Sequence, residues 1–132
     1  MHSVCKQTPY IPSFEDCLEI CQSNPAFYYK LEEINNCEVY IFNYRLASYS
    51  DFKCPIPEKP HIEAFELRGL TFVRDGDGKM VRYLMLRKFW NCFETEDNSL
   101  ERLEKLQIIR AQDKLDGSMI RFIKVGEQYI AK

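Results

Sequence analysis

The sequence lacks the features that direct a chain to or across a membrane. It has no run of about 18 consecutive apolar residues, the length that a membrane-spanning helix needs. Its first thirteen positions also lack the apolar stretch of a secretory signal peptide. We therefore expect no membrane partner and a cytoplasmic, reducing compartment in which the six cysteines are thiols.

Ligands for a metal ion are also scarce. No two cysteines are spaced as Cys-x-x-Cys, and only His2 and His61 are histidines, so a zinc site is not expected. The stretch Asp75-Gly76-Asp77-Gly78 has the composition of a calcium loop, but Lys79 stands where a third oxygen ligand is required. We predict a hairpin turn there and no metal ligands from the chain.

The 132 residues have the composition of a single globular domain. Hydrophobic residues make up 45% and aromatic residues 14%, enough for a substantial core. The formal net charge of −2 argues against a protein that coats nucleic acid by charge alone. Residues 68–88, however, contain six basic and two acidic side chains, which indicates a cationic pocket for a polyphosphate or a nucleic-acid end.

The pattern of apolar residues and turns predicts a mixture of strands and short helices. Ser13 is the expected N-cap of a first helix, with Asp16 as its capping-box partner, and the helix ends at Asn24-Pro25. Its apolar stripe is Phe14, Cys17, Leu18 and Cys21. Residues 98–106 predict a second helix with its own capping box, and residues 54–60, with three prolines, predict a surface loop. We predict strands over residues 27–31, 39–44, 64–74, 79–87, 107–111, 119–125 and 127–131, with turns at Asn35-Asn36 and Gly126. The fold class is therefore α+β with a largely antiparallel sheet and a few short helices.

Residues 113–120 read Asp-Lys-Leu-Asp-Gly-Ser-Met-Ile and place Lys114 two residues before an Asp-Gly turn. An amine is a nucleophile only when it is deprotonated, which nearby cations and desolvation favour. Gly117 allows a tight turn and a close approach of the backbone to a ligand, while Asp116 offers an acceptor for a sugar hydroxyl or for the lysine. Asp-Gly is also a common hairpin turn, beside which a lysine is usually solvated. The residues alone leave both interpretations open.

Two further stretches combine cations with special neighbours. Arg68 precedes Gly69 inside a predicted strand, where a glycine permits close approach of the backbone. Lys88 lies two residues before Trp90, the only tryptophan, so that a phosphate-binding cation and a stacking ring are adjacent. The alternatives are a solvent-facing arginine beside a bulge and a half-buried aromatic side chain at the edge of the core.

Taken in order, these stretches resemble the type 1 RNA ligases of T-even bacteriophages, members of the covalent nucleotidyltransferase superfamily. The resemblance covers about residues 39–132. It is carried by Val39-Tyr40-Ile41-Phe42-Asn43-Tyr44-Arg45-Leu46-Ala47-Ser48-Tyr49-Ser50-Asp51, Glu66-Leu67-Arg68-Gly69-Leu70-Thr71-Phe72, Leu86-Arg87-Lys88-Phe89-Trp90-Asn91 and Lys114-Leu115-Asp116-Gly117-Ser118. It implies that residues 1–132 are a single unit, the first half of a nucleotidyltransferase domain of the ATP-grasp-like ligase type.

The resemblance also implies an activity. Lys114 would attack the α-phosphate of ATP and become a lysyl-adenylate, after which AMP passes to an RNA 5′-phosphate and a 3′-hydroxyl seals the strand. Lys114 is then catalytic, and the expected cofactors are ATP and Mg²⁺. The implied nucleotide-binding residues are Arg68, Lys88, Trp90, Asp116 and Gly117, with Trp90 standing where the family has phenylalanine.

The family's later motifs would lie beyond Lys132, so the resemblance implies a fragment with little or no activity alone, whose partners are RNA ends, ATP and the missing C-terminal part of the ligase. One alternative is a non-catalytic module that binds RNA or a nucleotide or docks the remainder of an enzyme. Another, within the same superfamily, is a DNA ligase or a capping enzyme. Nicked DNA, RNA ends and GTP as substrates would distinguish these classes.

Overall fold

The computed structural model describes residues 10–132. These residues fold into two antiparallel sheets and three helices. The predicted α+β class, with an antiparallel sheet and few short helices, is confirmed. The helices are α1 (Phe14–Ser23), α2 (Tyr49–Lys53) and α3 (Leu100–Leu103), with a 3₁₀ turn at Glu96–Asn98. The strands are β1 (Phe27–Ile34), β2 (Cys37–Tyr44), β3 (Leu70–Arg74), β4 (Met80–Tyr83), β5 (Phe122–Val125) and β6 (Gln128–Ala131).

The first four strands form one sheet in the order β1-β2-β3-β4, and β5 and β6 form a separate hairpin. The predicted turn between β1 and β2 is confirmed, since Asn35 and Asn36 both have positive φ (51° and 61°), as a two-residue hairpin loop requires. The predicted turn between β3 and β4 is confirmed as well. There the Asp75 carboxylate accepts hydrogen bonds from the backbone N–H groups of Asp77 and Lys79, both at 2.9 Å.

Helix α1 begins where the sequence predicts, but its capping box is only half formed. The Ser13 hydroxyl accepts from the Asp16 backbone N–H at 3.1 Å, whereas the Asp16 carboxylate accepts from the hydroxyl of Tyr10 at 2.8 Å. The buried face is centred on Cys17 and takes in Ile20, which the predicted stripe omitted. Leu18 and Cys21, which the stripe included, are half-buried at its margins.

Hydrophobic residues pack on both faces of the four-stranded sheet. One face carries α1, α2 and the segment before β3, and its core is rich in phenylalanine. The other face carries the β5–β6 hairpin, whose Ile123 and Val125 are fully buried against Val39 and Val73. The first core comprises Phe14, Cys17, Ile20, Phe27, Tyr40, Phe42, Phe52, Ile56, Ile62, Ala64, Phe65, Leu67, Leu70 and Phe72.

Three predicted strands are shorter than expected, and the one predicted over residues 119–125 begins only at Phe122. Residues 64–69 form no strand, although Leu67 is fully buried there, and β3 begins only at Leu70. The second strand ends at Tyr83 instead of residue 87. The predicted surface loop at residues 54–60 is also partly wrong, since Pro55 and Ile56 are buried in the first core.

The predictions fail most clearly between α3 and β5. Residues 107–111 form no strand, since no other strand of residues 10–132 pairs with them, and the whole stretch 104–120 is exposed. The predicted second capping box is absent, because the Ser99 side chain makes no capping hydrogen bond, and α3 ends before Leu106. None of the helices described has the length and apolar content to cross a bilayer.

Candidate nucleotide-binding site

Five aromatic side chains from different parts of the chain meet at the end of the sheet where β2 finishes. Trp90 packs edge-on against Tyr49 and Phe52, with ring centroids 5.3 and 5.4 Å apart. Tyr44 is 4.7 Å from Phe52, again edge-on. Phe65 stacks on the other side of Phe52 at 5.9 Å. We call Tyr44, Tyr49, Phe52, Phe65 and Trp90 the aromatic cluster.

Helix α2 is short, and its N-terminal cap holds it in place beside the cluster. The Ser48 side chain accepts from the Asp51 backbone N–H, and the Asp51 carboxylate accepts from the Ser48 backbone N–H at 2.8 Å. Asn24, at the end of α1, donates a further hydrogen bond to Asp51 at 3.1 Å. The hydrogen bonds from Ser48 and Asn24 lower the pKa of the Asp51 carboxyl. The Asp51 carboxylate therefore stays ionised at neutral pH and keeps its hydrogen bonds, which hold α2 and its residues Tyr49 and Phe52 in position.

The ammonium of Lys88 lies against this cluster. Its Nζ is 4.8 Å from the Trp90 ring centroid, 5.2 Å from that of Tyr44 and 5.7 Å from that of Phe52. It donates one hydrogen bond, to the Tyr44 hydroxyl at 3.3 Å. Among the residues described, no carboxylate pairs with it. The aromatic faces hold the cation, but its remaining N–H groups are free for an anion.

The structure thus brings together two predicted site residues, Lys88 and Trp90, and adds one that sequence reasoning missed. Tyr44 contacts Lys88 from 44 positions earlier in the chain. The available signal was its place at the end of a predicted strand within the ligase-like stretch. Its contact with Lys88 depends on the pairing of β2 with β3, which one sequence does not determine.

Arg87 and Glu66 form an ion pair at the rim of the cluster. Their closest atoms are 3.9 Å apart, and the Arg87 guanidinium also lies 4.6 Å from the Phe65 ring centroid. Glu66 is buried, and desolvation raises the pKa of its carboxyl, while the positive charge of Arg87 partly opposes that rise. Arg87 therefore has a partner within the protein, in contrast to Lys88.

Arg68 lies immediately before β3 and is half-buried, without a carboxylate partner among the residues described. The next residue, Gly69, has a φ of +74°, and a Cβ there would lie 3.4 Å from the Met85 side chain. A non-glycine residue would be strained by its backbone conformation and crowded by Met85. Arg68 is a second cation, after Lys88, that is free to bind an anion.

Arg121 also reaches this turn and was not predicted. Its Nη2 donates to the Gly69 carbonyl at 3.2 Å and to the Thr71 hydroxyl at 2.9 Å. Its Nε and Nη1 are buried without acceptors among the residues described, and burial lowers the pKa of its guanidinium. The available signal was alternation, because Arg121 precedes the inward-facing Ile123 and Val125 by even steps.

Lys114, Asp116 and Gly117 lie in the exposed stretch 104–120. No hydrogen bond or ion pair of the described residues joins the Lys114 side chain to Arg68, Lys88 or any other group. Gly117 has a φ of +149° with open space where a Cβ would be. The predicted nucleophile motif is therefore accessible, and no contact among residues 10–132 attaches it to the aromatic cluster.

Metal-binding side chains are not clustered in the part of the chain that the structure describes. In residues 10–132, no three His, Cys, Asp or Glu side chains converge closely enough to hold a metal. A cleft of about 380 Å³ opens between the β3–β4 and β5–β6 turns, but none of the predicted site residues lines it. Its lining is Cys37, Val73, Asp75, Asp77, Lys79, Val81, Tyr83, Lys124, Gly126 and Glu127.

Comparison with known proteins assigns no family. No protein-family model matches the chain, and no solved structure matches it. The residues and contacts described above are therefore the basis for a functional proposal.

Proposed function

We propose that the chain is the nucleotide-binding part of an ATP-dependent RNA ligase in which Lys114 carries AMP. The observation that supports this most directly is the state of Lys88. Its ammonium is held against Trp90 and Tyr44 with free donors and no carboxylate partner among the residues described. A cation beside an aromatic face suits a ligand that combines a base with phosphates.

In the proposed reaction, the unprotonated Nζ of Lys114 attacks the α-phosphorus of ATP. A phosphorus–nitrogen bond forms, the bond from the α-phosphorus to the oxygen that bridges the α- and β-phosphates breaks, and pyrophosphate leaves. The nitrogen then loses one proton to solvent. An oxygen of an RNA 5′-phosphate then attacks the phosphorus of the bound AMP, and the phosphorus–nitrogen bond breaks, which gives an adenylated RNA end and regenerates Lys114. The 3′-hydroxyl of another strand attacks the phosphorus of that 5′-phosphate, loses its proton to solvent and forms the phosphodiester bond, while AMP leaves. Mg²⁺ held by the phosphates of ATP would neutralise the charge that builds up on pyrophosphate.

The other residues have supporting roles in this proposal. Lys88 and Arg68 bind phosphate oxygens, because each is a cation without a carboxylate partner among the described residues. Trp90 supports Lys88 and offers a ring edge to the base. Asp116 accepts a hydrogen bond from the ribose, and Gly117 lets the backbone approach it. The fold would then be the first half of a nucleotidyltransferase domain.

The exposure of Lys114 adds a requirement to the proposal. Residues 104–120 must pack against the aromatic cluster before Lys114 can reach an α-phosphate bound there. Within this stretch Leu106, Ile108 and Ile109 are 57, 85 and 95% exposed, so apolar surface is available to drive that packing. The proposed partner is a polypeptide that carries the ligase family's later motifs. It would hold residues 104–120 against the aromatic cluster.

The test uses the protein expressed from its complete reading frame. Incubation with Mg²⁺ and ATP labelled at the α-phosphate should transfer the label to the protein, and Lys114→Ala should abolish that transfer. Lys30→Ala, which removes an exposed lysine of β1 outside residues 104–120, is the control and should leave transfer unchanged. Labelling that survives in Lys114→Ala would refute the assignment of the nucleophile.

A second candidate is a non-catalytic module that binds RNA or a nucleotide or docks part of an enzyme. The exposure of Lys114 favours it, because no contact among residues 10–132 attaches the Lys114 side chain to the aromatic cluster. This candidate predicts ATP binding that depends on Lys88 with no covalent transfer at any pH. If label does transfer, comparing ATP with GTP and RNA ends with nicked DNA separates RNA ligase from a capping enzyme and a DNA ligase.

A further inference from the structure

Strand β1 lies at one edge of the four-stranded sheet, and no strand of residues 10–132 pairs with its outer side. It pairs with β2 over its full length without a break in register, and it contains no proline. Proteins often shield an edge strand with a proline, a bulge or a very short length, because its free N–H and C=O groups attract another strand. β1 has none of these three shields, whereas β4, at the opposite edge, is only 4 residues long.

The geometry of the β1–β2 hairpin decides which backbone groups of β1 are free. Ile34 and Cys37 flank the two-residue turn, so they form a hydrogen-bonded pair, and such pairs alternate from there along the strand. The Ala26 carbonyl follows the same alternation, since it accepts from the Arg45 backbone N–H at 2.8 Å. The residues whose N–H and C=O groups point away from β2 are therefore Tyr29, Leu31 and Glu33. A second strand can pair with these groups without displacing β2.

The side chains of β1 place apolar surface on one face of the sheet and two opposite charges on the other. Tyr29 and Leu31 lie on the face of the first core and are 42% and 52% exposed. Lys30 and Glu32 lie on the face that carries the β5–β6 hairpin, where one oxygen of Glu32 contacts Lys132. The other oxygen of Glu32 is open to a second cation. Lys30 is exposed, and no ion pair among residues 10–132 includes it.

The order of these residues makes β1 complementary to itself. When two β1 strands pair antiparallel, outward-pointing residues face each other, so Leu31 lies opposite Leu31, Tyr29 or Glu33 of the second copy. Leu31 opposite Leu31 places Lys30 of each copy opposite Glu32 of the other. The two alternatives place Lys30 opposite Lys30, or Glu32 opposite Glu32. Like charges directly opposite each other are destabilising, so the charges select the register centred on Leu31.

We propose that two copies of the chain associate antiparallel through their β1 strands and form one continuous sheet. The two-fold axis passes between the two Leu31 residues, and the contact of Lys30 with Glu32 occurs twice, as this symmetry requires. These contacts are of the non-hydrogen-bonded type, in which side chains of neighbouring strands approach most closely.

The charge pattern favours a second copy over another protein as the partner. A lysine at an edge usually discourages pairing, but here Glu32 of the second copy lies opposite it. A second copy supplies this complement by symmetry, whereas an unrelated strand matches it only by chance. The interface contains no residue of the proposed nucleotide site, so loss of dimerisation should leave ATP binding and adenylyl transfer unchanged.

Sedimentation equilibrium of the 132-residue chain, over protein concentrations that span the dissociation constant, tests the proposal. The parent should show a monomer–dimer equilibrium. Lys30→Glu and Glu32→Lys should each weaken dimerisation about tenfold or more, because each replaces two opposite-charge pairs with two like-charge pairs. An equimolar mixture of the two variants should dimerise again, since the carboxylates of one variant then lie opposite the ammonium groups of the other. Circular dichroism checks that both variants are folded.

Two controls separate the β1 interface from other causes of association. Arg82→Glu reverses an exposed charge on β4, at the opposite edge of the sheet, and should leave dimerisation unchanged. Lys30→Glu keeps the ion pair of Glu32 with Lys132, so its effect does not arise from loss of that contact.

Three results would overturn the proposal. The first is equal weakening by Arg82→Glu and Lys30→Glu, which would show that association does not depend on β1. The second is a mixture of the folded variants that associates no more tightly than either variant alone, which would exclude the register centred on Leu31. The third is a parent chain that stays monomeric at every concentration, which would leave the edge to a partner other than a second copy.

Discussion

Replacing Lys88 with methionine should weaken nucleotide binding without weakening the fold. Methionine is unbranched and of similar length, so it keeps much of the contact with the aromatic cluster but removes the charge and the hydrogen bond to Tyr44. The change separates the two roles that Lys88 could have, a structural contact and a binding group. A structural role predicts reduced stability with unchanged ATP binding, whereas a binding role predicts reduced ATP binding with nearly unchanged stability.

The effect on stability follows from what Lys88 touches. Contact of its ammonium with rings at 4.8 to 5.7 Å stabilises by about 0.5–2 kcal/mol in total, and a thioether against the same rings recovers about 0.3–1.5 kcal/mol. Methionine also removes the cost of keeping a half-buried charge without a carboxylate. We expect a net change within about 1 kcal/mol, or about 4 °C in melting temperature.

The effect on binding should be much larger. A charge-assisted hydrogen bond to phosphate contributes about 1.5–3 kcal/mol, so Lys88→Met should weaken ATP binding about 10- to 150-fold. Trp90 is the only tryptophan and its ring is 4.8 Å from the Lys88 ammonium, so its fluorescence reports the titration directly. Lys30→Met, a change on the exposed surface of β1, is the matched control and should bind ATP like the parent.

Two results would refute this reasoning. A loss of stability well above 2 kcal/mol in Lys88→Met would show that the cation holds the aromatic cluster together. Unchanged ATP affinity in a folded Lys88→Met protein would show that the ammonium faces no phosphate.

Two further predictions concern Trp90 and Glu66. In urea denaturation, Trp90→Ala should lower the free energy of unfolding by about 2 kcal/mol, which is less than the loss expected for a fully buried ring. Trp90→Phe should lower it by under about 1 kcal/mol, because the smaller ring keeps contact with Phe52. Equal losses in the two variants would contradict this packing. Burial raises the pKa of the Glu66 carboxyl in the folded state above its value in the unfolded chain, about 4.3. The folded protein therefore holds the proton of Glu66 more tightly, and the free energy of unfolding falls as pH rises above about 4.3. Glu66→Gln should therefore gain stability relative to the parent between pH 4 and pH 8, and a difference that does not change with pH would rule out this effect.

Much of the fold was predictable because its signals are local. The Asn35-Asn36 turn, the cap at Ser13 and the turn at Gly126 each depend on residues that are adjacent in the chain. Residues 64–69 were wrongly predicted as strand because their course depends on the burial of Leu67 beneath distant parts of the chain. Residues 107–111 have strand-like composition, but a strand also needs a pairing edge, which composition does not reveal.

In the candidate site, too, local contacts were predictable and long-range contacts were not. The proximity of Lys88 and Trp90 follows from their separation of two residues, which places both near one end of the sheet. Tyr44 and Arg121 join the site only through strand pairing and tertiary packing, so their contacts do not follow from any local pattern of residues. The role of Lys114 stays a prediction, because its motif is recognised by resemblance and lies on an exposed segment without contacts that would activate it.

The most direct test of the ligase proposal is to locate AMP on the protein. The protein expressed from its complete reading frame is incubated with ATP and Mg²⁺, and intact-mass measurement followed by peptide mapping finds any adduct. We expect one AMP per chain, attached to Lys114 and absent from Lys114→Arg. Saturable ATP binding without any adduct, or an adduct on another residue, would contradict the proposal that Lys114 is the nucleophile.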